Sequence, residues 1–322
     1  MLVRPTSDRR NIEGLDVEIR EGDLRDPESI GNAVAGCEEV FHVAAEYSFW
    51  SDSPDEVYAS NVQGTANVMD ACERHRVRRV VYTSTVGTIG LGGASTSVQM
   101  SHDEESPVAD GQFTGHYKRS KKAAEEKALE YVARGVPVVV VNPSAPVGPW
   151  DRKPTPTGKI LVDFVMGRMP AYLDTGLNIV HVNDVAVGHV LAAEKGRVGE
   201  RYILGNQNMS LAEILAELAK ITGMKAPKVK IPYGVAYLAG LASTAISDTI
   251  THRPPGIALE AVKMARFHMY FSAEKAKREL GLPQRSTTEA FTDALDWFSK
   301  HGYFDSKKNS GAPRWRSPSS RP

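Results

Sequence analysis

The chain has 322 residues, long for a single hydrophobic core, so two domains, or one large α/β domain with an appended lobe, are expected. Lys and Arg total 39 and balance Asp and Glu at 39, with 41% hydrophobic and 24% charged residues, which excludes the basic excess of a nucleic-acid-binding protein and the composition of a disordered one. The two cysteines, Cys37 and Cys72, are too few for a disulfide framework and suit a reducing, cytoplasmic setting.

The opening "MLVRPTSD" reads as the end of a strand followed by a proline-containing turn. "DVEIREGD" from Asp16 alternates like a strand, and "EVFHVAA", "RRVVYTSTV" and "VPVVVVNPS" are short apolar runs starting at Glu38, Arg78 and Val136. Helical patterns separate them at 27–35, 56–74 and 116–134. The basic run "RHRVRR" from Arg74 falls where a helix ends and where cations favour its negative pole. β-branched runs alternating with helices predict βαβ units around a parallel sheet, that is, a doubly wound Rossmann-like α/β fold.

After Ser144 the rhythm changes. "APVGPWDRKPTPTGK" is a Pro/Gly-rich loop, "NIVHVNDVAVGHVLAAEKG" returns to strand then helix, and helices dominate from Ser210 to about residue 300. The expected division is a dinucleotide-binding domain at 1–146, rejoined by 177–206, a mostly helical substrate lobe at 147–304, and a disordered Ser/Pro/basic tail at 305–322. "YGVAYLAGLASTAI" from Tyr233 is shorter than the ~20 residues that cross a bilayer, and the start carries no apolar signal-peptide core.

Tyr117 and Lys121 are four apart in a helical segment and share one face. An ammonium beside a phenol favours the phenolate and makes the tyrosine a usable acid or base near neutral pH. The spacing alone is weak, since Tyr303 and Lys307 repeat it. Context separates the two pairs: Tyr117 follows the strand carrying Thr83, Ser84 and Thr85, and ligands of open α/β sheets bind at the carboxyl ends of strands. Gly87, Gly90 and Gly93 imitate a dinucleotide fingerprint, but the polar loop after them does not open the helix that a pyrophosphate needs. His181, Asp184 and His189 suggest a metal set, yet a strand-to-helix junction is expected to point His189 away, so packing roles are preferred and no metal is assigned. Tyr47, Phe49 and Trp50 are candidates for a substrate wall, with core packing the equal alternative.

With "GDLRD", "FHVAAEYSFW", "NVQGT", "VVYTSTV", "GHYKRSK", "NPSAPVGPWDRKPTPTG", "RMPAYLDTGLNIVHVNDVA" and "FSAEKAKRELG" in this order, the chain resembles the extended short-chain dehydrogenase/reductases. It is most similar to the hopanoid-associated sugar epimerase and dihydroflavonol 4-reductase-like group. The resemblance implies Tyr117 as catalytic acid/base, Lys121 as the residue that holds the nicotinamide ribose and tunes Tyr117, and Thr85 as donor to the reacting oxygen, with Ser84 as runner-up. It implies cofactor contacts at Asp23 and Leu24 (adenine), Ala44 and Ala45 (pyrophosphate), Thr83, and Pro143 and Ser144 (nicotinamide), with Asn61 as a brace. Capping, backbone-bonding and strand-ending roles are the plainer alternatives for Asp23, Asn61 and Pro143.

In that family a first strand, a glycine-rich turn and a first helix precede the strand matched by "LVRPTSD". They are absent here, and the expectation is a start further upstream, with a shortened protein as the alternative. Arg4, where an acid would bind ribose hydroxyls, suggests NADP(H), with NAD(H) compatible. Arg9 and Arg10 are placed to assist. The expected function is hydride transfer at a hydroxyl or carbonyl carbon of a sugar-like small molecule, nucleotide-sugars included. Its rivals are an NADPH-dependent carbonyl reductase of dihydroflavonol-reductase type and a non-catalytic dinucleotide-binding or scaffold protein. No nucleic acid or membrane span is expected as partner, and a homodimer is compatible with the sequence.

Overall fold

The computed structural model describes residues 1–46, 54–91, 101–108, 112, 115–251 and 255–304. Tyr47, Phe49, Trp50, Gly93, Lys307 and the 305–322 tail lie outside the described residues.

The first part of the chain runs β1 (Leu2–Val3), β2 (Arg20–Glu21), α1 (Pro27–Val34), β3 (Glu39–His42), α2 (Pro54–Tyr58), α3 (Gly64–Arg74), β4 (Arg79–Thr83), α4 (His116–Glu130) and β5 (Val138–Pro143). A π-helical turn, Ala59–Gln63, joins α2 to α3. The second part runs β6 (Ala145–Val147), α5 (Pro156–Val165), β7 (Ala171–Leu173), β8 (Gly176–His181), α6 (Val182–Lys195), β9 (Arg201–Leu204), β10 (Gln207–Ser210), α7 (Leu211–Thr222), β11 (Val229–Ile231), α8 (Tyr233–Ile246), α9 (Leu259–Met264), β12 (His268–Met269), α10 (Glu274–Leu280) and α11 (Thr287–Lys300).

The main sheet has the order β3-β4-β5-β9 and is parallel throughout, with Val80 opposite Val138 and Val140 opposite Arg201. Its centre is the valine run Val138–Val141, wholly buried because helices cover both faces. On one face Val80, Tyr82, Val138 and Val140 pack with Met69, Ala124 and Ala128 of α3 and α4. On the other, Val81, Val139 and Val141 pack with Ala192 of α6 and Leu280 of α10.

β1 and β2 form a separate parallel pair, and β3 bonds to β4 alone among the described strands. The alternating run from Asp16 yields only the two residues of β2; Val17 and Ile19 stay exposed, because the partner strand is itself two residues long and Pro5 follows it two residues later. The helix read at 116–134 ends at Glu130, where Gly135, with φ +90°, lets the chain turn back and the Val136 N–H bond the Tyr131 carbonyl.

The later residues build a second sheet in which β8 pairs with β6, β10 and β12. The return to the main sheet therefore consists of α6 and β9, while β8 belongs to the second sheet. A separate core joins α5, α7 and α11 through Leu161, Phe164, Ile214, Leu218, Phe291 and Phe298. α7 begins with a capping box in which Ser210 and Glu213 bond each other's backbone.

Candidate active site

Two cavities open beside the carboxyl ends of the parallel strands. The first, about 380 Å³, is lined by Leu2, Val3 and Arg4 at the end of β1, Gly22 to Arg25 after β2, and Ala44 to Glu46 after β3. The second, about 420 Å³, lies over the ends of β4 and β5 and extends under the second lobe.

The first cavity gathers Arg4, Asp23, Leu24, Ala44 and Ala45. Asp23 accepts two hydrogen bonds from the Arg25 guanidinium and one from its N–H, which hold its carboxyl at about 2. The Arg4 guanidinium lines the cavity with no hydrogen-bond or ion-pair partner among the described residues. Asn61 does not line the cavity. It is buried in the π-helical turn, where its side chain takes the Glu46 N–H (2.7 Å), donates to the Glu46 carbonyl (3.1 Å) and to Ser120 Oγ (3.0 Å), and so ties the 44–46 segment to α4.

The second cavity gathers Thr83, Ser84, Thr85, Tyr117, Pro143 and Ser144. Thr85 caps a short 3₁₀ turn: its Oγ1 accepts the Gly87 N–H at 3.1 Å, which leaves the hydroxyl proton to be donated elsewhere. Ser84 Oγ instead meets Thr88 Oγ1 at 3.4 Å in the buried interior. Tyr117 stands in the first turn of α4 and Lys121 one turn on. Lys121 Nζ donates to the Thr83 carbonyl (2.9 Å) and to Tyr82 Oη (3.3 Å). Burial lowers its ammonium from the usual 10.5 to about 8, against the opposing pull of Glu125. Lys121 therefore lies beneath the cavity floor, not on its wall.

Below the floor, Glu125 is fully buried and accepts from Thr88 Oγ1 (2.7 Å) and Asn142 Nδ2 (2.9 Å), while Arg201 approaches its other oxygen at 3.5 Å. Asn142 Nδ2 also donates to the Thr85 carbonyl (3.0 Å). This network fixes the turn that presents Thr85.

His189 turns away from His181 and Asp184, as expected, and meets the end of β4: its Nε2 lies 2.9 Å from Thr83 Oγ1, and its Nδ1 donates to the Val185 carbonyl, so Nε2 is the acceptor. His181 takes the Asn183 N–H on Nδ1, which places the proton on Nε2, facing Asp293 at 3.2 Å. Asp184 is bonded to Arg285. The three residues of the candidate metal set thus serve three different partners. Sequence reasoning also missed Arg25 in the first cavity and Lys118 in the second. Lys118 is buried and its ammonium lowered by desolvation, with Glu260 opposing. Its position next to Tyr117 was the only available signal.

Most of the remaining lining is apolar, with Val86, Ile160, Leu177, Met264 and Met269 among it, while Thr155, Thr157 and Asn178 add neutral polar groups. Lys118 is the one charged side chain among its described lining residues, and no guanidinium lines it.

The sequence profile described as "NAD dependent epimerase/dehydratase family" matches residues 2–205. A protein named putative dihydroflavonol 4-reductase from Synechocystis sp. is 42% identical over 94% of this chain and 88% of its own length. Sterol demethylase protein B of Methylococcus capsulatus is 34% identical over 93% of this chain and 90% of its own. The crystal structure of gox2253 superposes with a TM-score of 0.82 and 43% identity, covering 94% of this chain and 91% of that one.

Proposed function

The chain belongs to the NAD-dependent epimerase/dehydratase family of extended short-chain dehydrogenases/reductases, and from that premise we propose that it is an NADPH-dependent reductase acting on the carbonyl of a largely apolar small molecule. The observation that carries this reading is the pairing of Thr85 and Tyr117 on the wall of an apolar cavity that offers no guanidinium, among its described lining, to a sugar-linked diphosphate.

The first cavity would take the cofactor: Arg4 lines it with no hydrogen-bond partner among the described residues, and Asn61 holds the 44–46 backbone. Asp23 and Leu24 would hold its adenosine end, Ala44 and Ala45 its middle, and Thr83, Pro143 and Ser144 its nicotinamide end. Arg4 supplies a charge-assisted donor for a 2′-phosphate, which favours NADP(H) over NAD(H). A nicotinamide held there by Thr83, Pro143 and Ser144 would supply the hydride for the carbonyl carbon.

The protein's residues handle the oxygen. Thr85 Oγ1, with its acceptor side occupied by Gly87 N–H, donates its proton to the substrate oxygen and orients it. Tyr117 gives the proton that completes the alcohol, and the Lys121 ammonium one turn along α4 favours the phenolate left behind. His189 holds the Thr83 side chain, and Lys121 grips the Thr83 carbonyl, so the strand end that presents Thr85 is fixed from both sides.

The experiment is net turnover. Incubated with NADPH and a panel of aryl-alkyl and alicyclic ketones, the protein oxidises NADPH stoichiometrically with alcohol formed. An epimerase acting on sugar-like substrates would interconvert stereoisomers with no net change in cofactor, and that result would replace the reductase reading.

A further inference from the structure

We infer that α8 docks this protein on the surface of an anionic lipid bilayer. The helix is apolar on the side that should be polar. Its inner side carries its two aliphatic hydroxyl residues: Ser243 Oγ accepts the Ile257 N–H at 3.2 Å and Thr244 Oγ1 accepts the Leu259 N–H at 3.1 Å. Ala236 and Gly240 complete that side, and a methyl group on Gly240 would come within 3.2 Å of Val262 in α9. Val235, Leu238, Leu241 and Ile246 face outward, with Leu238 66% exposed. At 100° per residue the outward side chains fall in one sector and the inward ones in the opposite sector. A helix that turns its hydroxyls onto the neighbouring backbone and exposes its leucines is matched to an apolar surrounding.

The stretch from Ile231 to Ser247 carries no charged residue. Fourteen residues of helix span about 21 Å, short of the hydrocarbon core, so the helix lies along the surface. No helix among the described residues is long and apolar enough to cross a membrane. Charge selects the occupant. Lys225 and Lys228 lead into the helix and are exposed, Lys230 beside them is paired with Asp174 at 2.7 Å, and the Tyr233 and Tyr237 rings stand 6.0 Å apart at the same end. Cations beside tyrosines at the edge of an apolar face match the headgroup region of anionic lipid. The same lysines would repel one another across an interface between two copies of the chain. The helix rests on α9, whose Met264 lines the second cavity, so a docked protein holds that cavity one helix away from the lipid.

The test is flotation of the full chain with vesicles of phosphatidylcholine alone or with about one-third phosphatidylglycerol. The chain should float with the anionic vesicles and not with the neutral ones. Leu238→Glu should abolish flotation, and a variant with Lys225 and Lys228 both changed to Gln should weaken it about tenfold, each lysine near an anionic surface contributing severalfold. Both changes are at exposed positions, so unchanged thermal unfolding is the check that each variant folds. Failure of the parent chain to float with anionic vesicles overturns the proposal, as does flotation indifferent to Leu238→Glu. A concentration-dependent dimer in light scattering that Leu238→Glu dissociates, without vesicle binding, overturns it in favour of a contact between copies. None of these outcomes depends on the reductase reading, which net NADPH turnover tests separately.

Discussion

Replacing Lys121 by Met should leave a pH-dependent signature in stability whose size follows from burial. Lys121 is 3% exposed, and its ammonium is lowered from 10.5 to about 8, chiefly by desolvation. The folded chain thus holds this proton more weakly than the unfolded chain. The charged amine opposes folding at every pH below about 8, and the opposition fades as pH rises from 8 towards 10.5. At about 1.4 kcal/mol for each pH unit of that interval, the amount is about 3 kcal/mol. Met at this position does not titrate, so the stability difference between parent and variant should move in the parent's favour by about 3 kcal/mol between pH 7.5 and 10.5. Other titrating groups largely cancel in the difference. Urea unfolding of both proteins at four pH values across that window measures it. A difference that stays flat would show that the Lys121 ammonium is not strained by burial, and would remove the reason for placing it under the site as a tuned cation. On the activity side, the parent's kcat/KM should fall above about pH 8 as that cation is lost.

Arg4→Ala should weaken NADPH binding by about tenfold to a hundredfold while leaving NADH binding unchanged, because a charge-assisted bond is worth roughly 1.5–3 kcal/mol; calorimetric titration with both cofactors reads it, and equal losses for the two would refute the assignment. Glu125→Gln sets an amide against the Asn142 and Arg201 donors in a fully buried position. It should cost about 3 kcal/mol of stability in urea, and kcat should fall more than KM rises, since Asn142 carries the Thr85 carbonyl. Unchanged kcat would detach this network from the site.

What the sequence disclosed followed chain-local physics. The valine run 138–141 could only be a strand buried on both faces, and the helix at 56–74 declared itself by periodicity even though a π turn interrupts it. The meeting of Thr83, Thr85, Tyr117 and Ser144 at one cavity follows from strand ends and their order. What escaped depends on distant partners. His189 reaches Thr83 across 106 positions, and Arg201 reaches Glu125 across the sheet. Lys118 is buried and feels the charge of Glu260 from α9, which no local pattern near Tyr117 announces. The strand at Arg20 shrank for the same reason, because a strand's length is set by the neighbour it pairs with.

The account stands on Tyr117 as the proton donor. Single-turnover oxidation of NADPH with a reducible ketone, compared between the parent and Tyr117→Phe, measures that most directly. The account predicts a loss of about 10²–10⁴-fold in the rate of the chemical step, with the NADPH dissociation constant changed by less than about twofold. A Tyr117→Phe protein that reduces the ketone at close to the parent rate would contradict it.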